Sequence, residues 1–182
     1  GCRGSLTKQV NNFFKLTKHV NPQTYGLGIK ETWQISPENH KIGEVIHAIG
    51  YPLNNNAYGG GFIYHLENNM ISLGLVTALD YKNPYLSPFD EFQKFKQHPE
   101  VSKLLQNAKR IEYGARTVSE GGIQALPKLS FNGGVLVGDT AGFLNVPKIK
   151  GVHNSIKSGI LAATAVFEAI ATQQKEAKSY TQ

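Results

Sequence analysis

Four strand-like runs follow one another between Tyr25 and Leu79, each closed off by a short cluster of turn residues. The first is YGLGIKETWQI (Tyr25 to Ile35) and the second GEVIHAIGY (Gly43 to Tyr51), with SPENHK between them. The third, GGFIYHL, and the fourth, MISLGLVTAL, flank Glu67-Asn68-Asn69, which reads as a hairpin loop. Runs joined this tightly pair in opposite directions, so this stretch is expected to form a largely antiparallel sheet. The expected fold class is therefore α+β.

Helical signals surround the sheet. GSLTKQVNNFF is expected to form a short helix with Leu6, Val10, Phe13 and Phe14 on one side. At SPFDEFQKFKQ, Ser87 suits an N-cap, Pro88 the first helical position, and Asp90 and Glu91 the positive end of the helix dipole. Phe89, Phe92 and Phe95 recur at a spacing of three and are expected to face the core. PEVSKLLQ continues as a second helical piece, and KRIEYGARTV reads as a further strand. GGVLVGD reads as a short buried strand ended by Gly138-Asp139. The last element, from about Val152 to Thr172, is expected to be a helix with Ile156, Ile160, Ala163, Phe167 and Ile170 on one face.

The stretch from Gly138 to Gly159 carries chemistry as well as structure. A buried strand ending in Gly-Asp and feeding a glycine-containing loop and a helix suits a nucleotide. Glycine lets the backbone approach a phosphate or ribose, a carboxylate accepts from ribose hydroxyls, and the helix start offers free N–H groups. The competing reading of Gly138-Asp139 is an ordinary turn. Small residues at Ser155, Ser158, Gly159, Ala162 and Ala163 let this helix pack close to a neighbour.

Composition removes other classes. The chain has 182 residues, a net charge of +6 and one cysteine, Cys2. One cysteine excludes a disulfide framework and a cysteine-based zinc or iron–sulfur site built within the chain, and fits a reducing compartment. The lysines are scattered and match no nucleic-acid signature, so a mildly basic face toward anionic lipid or an acidic protein is the expected reading. No apolar run reaches the roughly 18 residues of a membrane span, and no signal peptide is visible. The chain opens on Gly1 rather than methionine, as a processed chain or a fragment would. No catalytic nucleophile, paired carboxylates or metal-ligand cluster stands out.

The register from Gly138 onward is similar to the last flavin motif of two-dinucleotide-fold flavoproteins: Gly-Asp-Ala-Ala-His, a proline, then Gly-x-Gly-x-Asn opening a helix. Gly142 stands where the histidine is usual, and the glycine pair is reduced to Gly151. GFLNVPKIKGVHNSIKSGILAA, PQTYGLGIKE, AYGGGFIYHL, LDYKNPYLSPFDEFQKFKQHP, KRIEYGARTVSEGG and QALPKLSFNGG closely resemble the electron transfer flavoprotein–ubiquinone oxidoreductase family, from Gly1 to about Ile170. That resemblance implies an oxidoreductase passing electrons from electron transfer flavoprotein through FAD and a [4Fe–4S] cluster to ubiquinone. It implies a peripheral (monotopic) attachment to the mitochondrial inner membrane or a bacterial cytoplasmic membrane, and no nucleic acid. The ADP-holding Gly-x-Gly-x-x-Gly fingerprint is absent, as is the cysteine-rich cluster region. The chain so read is a central fragment. Residues 1–24 end an FAD-binding segment, to which GCRG belongs. Residues 25–125 form a ubiquinone-binding domain, and residues 126–182 a returning FAD-binding strand–loop–helix.

The resemblance also implies site residues. Gly59 and Gly60 match the quinone-binding positions, where a flat ring can lie on backbone; the competing reading is a glycine-rich bulge. Tyr58, Phe62, Tyr64 and His65 then line or support the pocket, or are core residues. Gly138, Asp139, Pro147, Gly151 and Asn154 match flavin-binding positions. Lys148 and Lys150 bias the flavin potential, face the partner flavoprotein or are solvated; His153 relays protons or, in the preferred reading, is bland; Arg116 and Glu120 form an ordinary loop ion pair; and Cys2, next to Arg3, is a reactive thiol or, in the preferred reading, a small packed one. Two alternatives remain open at this point: another FAD-dependent reductase or hydroxylase of the same superfamily, and a non-catalytic quinone- or partner-binding fragment.

Overall fold

In the computed structural model, which describes residues 4–180, the chain divides into two compact units. One takes the residues up to Tyr25 together with those from Val118 onward; the other is Gly26–Thr117. Cys2 and most of GCRG lie outside the described residues. The elements are α1 (Thr7–Phe14), β1 (Tyr25–Gln34), β2 (Val45–Ala48), β3 (Gly59–His65), β4 (Met70–Ala78), α2 (Pro88–Gln97), α3 (Pro99–Leu104), β5 (Lys109–Ser119), β6 (Ser130–Phe131), β7 (Gly134–Val135) and α4 (Val152–Ala171).

The Gly26–Thr117 unit is a five-stranded sheet of order β2-β3-β4-β1-β5. β1 with β4, β2 with β3, and β3 with β4 pair antiparallel. The β3–β4 hairpin forms because Asn68 and Asn69 accept left-handed backbone (φ 57 and 55), and the Met70 N–H donates to the Glu67 carbonyl at 3.2 Å. β2 is shorter than its apolar run: it pairs only over Val45–Ala48 and sits at the sheet edge.

Alternation decides the core. Ile71, Leu73 and Leu75 of β4 lie on one face with Ile63 and His65 of β3, and all are buried. α2 covers that face. Ser87 Oγ accepts from the Asp90 N–H at 3.3 Å, and Pro88 occupies the first turn, so the helix starts where the sequence says it should. Phe92 and Phe95 then drop into the sheet, and Gly61 leaves the space that the Phe95 ring fills. Burying a ring such as Phe92 stabilises by about 1.5–3 kcal/mol. Phe89 does not join them. It is 58% exposed, because two successive steps of three leave it rotated well away from Phe95 round a helix of 3.6 residues per turn.

A buried carboxylate ties β1 to α2 and β5. Glu31 accepts from Lys96 Nζ at 2.9 and 3.1 Å, Arg110 Nη1 at 3.2 Å and Trp33 Nε1 at 2.8 Å. Lys96 also lies over the Phe92 ring, 4.9 Å from its centroid.

In the other unit, α4 packs on Leu16, Leu129, Leu136, Ala141, Ala177 and Tyr180. Its length matches the sequence, and the face that carries the large apolar side chains is the outer one. The buried positions are Ser158, Ala162, Ala165 and Ala169, whereas Ile156, Ile160, Phe167 and Ile170 are exposed. Small side chains let the helix axis come close, so the alanine stripe makes the contact. GGVLVGD likewise yields a strand of only two residues, β7, paired antiparallel with β6. α1 forms as expected yet has no buried residue; Leu6 and Phe13 are exposed and Val10 is half-buried.

Candidate functional site

The stretch from Gly138 to Asn154 folds as two 3-10 turns, Gly138–Ala141 and Val146–Lys148, leading into α4. Gly138 holds a left-handed backbone (φ 64) and donates its N–H to Ser158 Oγ at 2.9 Å. The Ser158 hydroxyl in turn donates to the Ser155 carbonyl at 2.7 Å, so the turn is fastened to the helix it precedes. Asp139 sits in the first turn, its carbonyl accepting from the Gly142 N–H at 3.1 Å. Asn145 and Lys150 exchange backbone hydrogen bonds at 3.0 and 3.3 Å, Asn145 Oδ1 accepts from the Lys148 N–H at 3.2 Å, and Pro147 stands at the tip they enclose. Ile149 is left-handed there (φ 49), a strained conformation for a β-branched residue.

Gly151 occupies the N-cap position of α4, with no side-chain cap and no acid in the first turn. The positive end of that helix is therefore uncompensated by its own residues. Asn154 donates one amide hydrogen to the Phe143 carbonyl at 3.0 Å, which leaves its second N–H and its oxygen for other work. Pro147 and Asn154 share a cavity of about 620 Å³ with Phe143, Lys157, Leu161 and Tyr180. Gly138, Asp139 and Gly151 shape the loop but do not line that cavity.

Gly59 and Gly60 belong to the other unit, at the start of β3. β3 runs past the last β2 partner pair, Ala48↔Gly61, so these two residues project beyond the end of that neighbour. Both glycines have a steric reason of their own. A Cβ on Gly59 would collide with the Val76 carbonyl oxygen and stand 2.6 Å from Leu53 Cδ1, and one on Gly60 would come within 2.7 Å of the Ala48 carbonyl oxygen. The neighbouring side chains separate by face. Phe62 and Tyr64 stack 5.1 Å apart on the sheet face away from the helices, with His47 at 5.7 Å from Tyr64. His65 lies on the opposite, helix-covered face, and Tyr58 is exposed. Sequence reasoning missed Gly74, which lies under the Phe62 ring; the signal for it was a glycine inside an otherwise apolar strand.

Among the described residues no group of histidine, cysteine, aspartate or glutamate is placed to hold a metal ion, and no helix is long and apolar enough to cross a membrane.

A family model described as ETF-QO, ubiquinone-binding matches residues 25–118. The chain is 58% identical over 176 residues to the mitochondrial electron transfer flavoprotein-ubiquinone oxidoreductase of Dictyostelium discoideum, covering 97% of this chain and 29% of that protein. It is 51% identical over 181 residues to the human mitochondrial protein of the same name, covering 98% of this chain and 29% of that one. The chain thus spans about 29% of the length of these relatives. Among solved structures, a geranylgeranyl bacteriochlorophyll reductase-like protein from Thermoplasma acidophilum superposes with a TM-score of 0.64 at 17% identity, over 87% of this chain and 36% of that one. The halogenase PltM superposes with a TM-score of 0.63 at 13% identity, over 99% of this chain and 38% of that one. These two share the fold and carry no activity across at such identity.

Proposed function

From the premise that this chain belongs to the electron transfer flavoprotein–ubiquinone oxidoreductase family, we propose that it is the quinone-binding core of an enzyme moving electrons from electron transfer flavoprotein to ubiquinone. The observation that carries this reading is a coincidence of boundaries: the ubiquinone-binding family model spans residues 25–118, and the compact sheet unit is Gly26–Thr117. The residues up to 24 and those from 126 to 182 are assigned to the FAD-binding part. The enzyme associates peripherally with a membrane, in mitochondria or in bacteria.

Gly59 and Gly60 are assigned to the quinone. Where β3 outruns β2, the Gly59 N–H lies on the side away from β4 and is available to a quinone carbonyl, while the bare backbone at both glycines lets β3 pack close to Val76 and Ala48. Gly138, Asp139, Pro147, Gly151 and Asn154 are assigned to FAD, which when bound supplies acceptance of reducing equivalents and their onward release. The chemistry of the residues fits that group: α4 presents an uncapped positive end, and Asn154 retains a free N–H beside it. Asn154 orients; the α4 terminus favours negative charge; Pro147 and Phe143 keep water from the cavity wall. A [4Fe–4S] cluster does not fit the described residues, so its ligands are assigned to parts of the enzyme outside this chain.

The test is photolabelling of the full-length enzyme with an azido-ubiquinone during turnover with reduced electron transfer flavoprotein. Label is expected on the peptide from Ala57 to Leu66. Label confined to other peptides removes Gly59 and Gly60 from the site, and a failure of donor-dependent quinone reduction removes the function itself.

A further inference from the structure

The helix-covered face of the sheet is wider than the helices that cover it. α2 lies over β4 with α3 packed beside it, but Ile46 on the edge strand β2 stays 40% exposed. Between this uncovered corner and α3 lies a cavity of about 490 Å³, within the size range of small-molecule sites. Its apolar lining includes Ile46, Ala48, Ile63, Phe95, Val101 and Leu104.

One polar group in its wall lacks a partner. The His65 side chain is 1% exposed. Its Nδ1 accepts the Lys41 backbone N–H at 3.1 Å, so the neutral ring carries its proton on Nε2. That Nε2 is buried and has no hydrogen-bond partner. Glu44 Oε2 is 3.6 Å away, too far for a hydrogen bond, and Glu44 Oε1 is engaged by Lys41 Nζ at 3.3 Å. His40 does not help: its ring centroid is 5.3 Å from that of His65, and its Nε2 donates to the Leu66 carbonyl. Buried donors are nearly always satisfied, so an orphan beside an apolar cavity marks the place of a missing acceptor.

We propose that this cavity is a binding site for a neutral, ring-sized apolar molecule carrying a carbonyl oxygen. The oxygen accepts the Nε2–H of His65, and Ile46, Ile63, Phe95, Val101 and Leu104 cover the body. Glu38, Glu44 and Glu100 outnumber Lys41 and Lys103 in the lining, and Glu44 stands nearest the His65 ring, so an anionic head group is disfavoured and a ketone or related carbonyl compound is left. Glu44 is a third exposed and is the side chain that must swing aside to admit it. This site is distinct from the one assigned to Gly59 and Gly60: those residues open β3, and His65 ends it, six residues and roughly 20 Å further along the strand.

The test compares two probes of the same shape on the full-length protein, acetophenone and ethylbenzene, by titration calorimetry and by the chemical shift of the His65 ring. Acetophenone should bind at least about tenfold more tightly, the ratio one hydrogen bond supplies. The ratio should fall to about one in His65→Leu. Equal affinity of the two probes for the unaltered protein overturns the proposal, as does the absence of saturable acetophenone binding. Because that comparison needs no variant, a folding defect in His65→Leu does not protect the proposal. A tenfold preference that survives a well-folded His65→Leu also overturns it, since the donor would then be another group.

Discussion

Phe92 and Phe167 are both phenylalanines on amphipathic helices, and the molecule treats them oppositely: Phe92 is fully buried and Phe167 is 74% exposed. The contrast extends to the units that hold them. The sheet unit buries its large side chains, with Ile71, Leu73, Leu75 and Phe92 all at 1% exposure or less. The other unit buries alanines along α4 and holds Ile156, Ile160, Phe167 and Ile170 outward. A hydrophobic stripe therefore states which residues share a face and not which face is inside. In the sheet unit, volume fills the space over an open pleat; around α4, the closeness of the helix leaves no space to fill.

The strongest way to break this comparison is to remove volume from the sheet unit. Phe92→Ala should destabilise by about 3–5 kcal/mol in chemical denaturation; a loss under about 1 kcal/mol would mean that the ring is not the centre of that core. Adding volume to the alanine stripe is the complementary test. Ala165→Leu should cost about 1–3 kcal/mol by overpacking, although leucine is the better hydrophobe. A neutral or stabilising outcome would show that α4 does not approach its neighbours closely.

Acid should act on the sheet unit through His65. Burial pushes its pKa below the ordinary imidazole value; Glu44 pulls it upward, and His40 and Lys41 push it further down. A histidine with a depressed folded pKa lends stability that is complete above the unfolded value and is lost as pH falls below about 6.5. Denaturation at a series of pH values should show that loss, and it should be absent in His65→Gln. The smallest effect belongs to the exposed stripe: Phe167→Ser should change stability by no more than about 0.5 kcal/mol. A cost above about 2 kcal/mol would show that this face is covered in the molecule, and the contrast between the two phenylalanines would disappear.

Much of the architecture was legible because local chemistry and tertiary packing agreed. Ser87, Pro88 and Asp90 announce α2, and Asn68-Asn69 announces a hairpin, whatever surrounds them. Burial was legible only where one stripe had nothing to compete with it. On α4, alanines and isoleucines alternate round the helix, and hydrophobicity alone prefers the isoleucines. Phe89 misled for a related reason: a spacing of three drifts round a helix of 3.6 residues per turn. In the site, the register from Gly138 to Asn154 was visible, but the Asn154 bond to Phe143 depends on how the loop folds back, and no spacing encodes it. The steric need for Gly59 and Gly60 comes from carbonyls on β2 and β4, residues distant in sequence. His65 was visible as a residue beside the glycines; that it faces the other way follows only from the pleat.

The boundaries of the sheet unit fall within β1 and β5, and these two strands are neighbours in the sheet. A Cβ placed on Gly28 would touch the Arg116 carbonyl oxygen at 3.6 Å, so the points where the chain enters and leaves are side by side. To the rest of the polypeptide, the whole sheet unit then amounts to a short bridge between two adjacent positions. Its internal length adds little closure entropy, which grows only slowly with loop size. Such a unit behaves as a cassette: it can be exchanged for a relative, or lengthened in its own turns, without asking the host to move its attachment points.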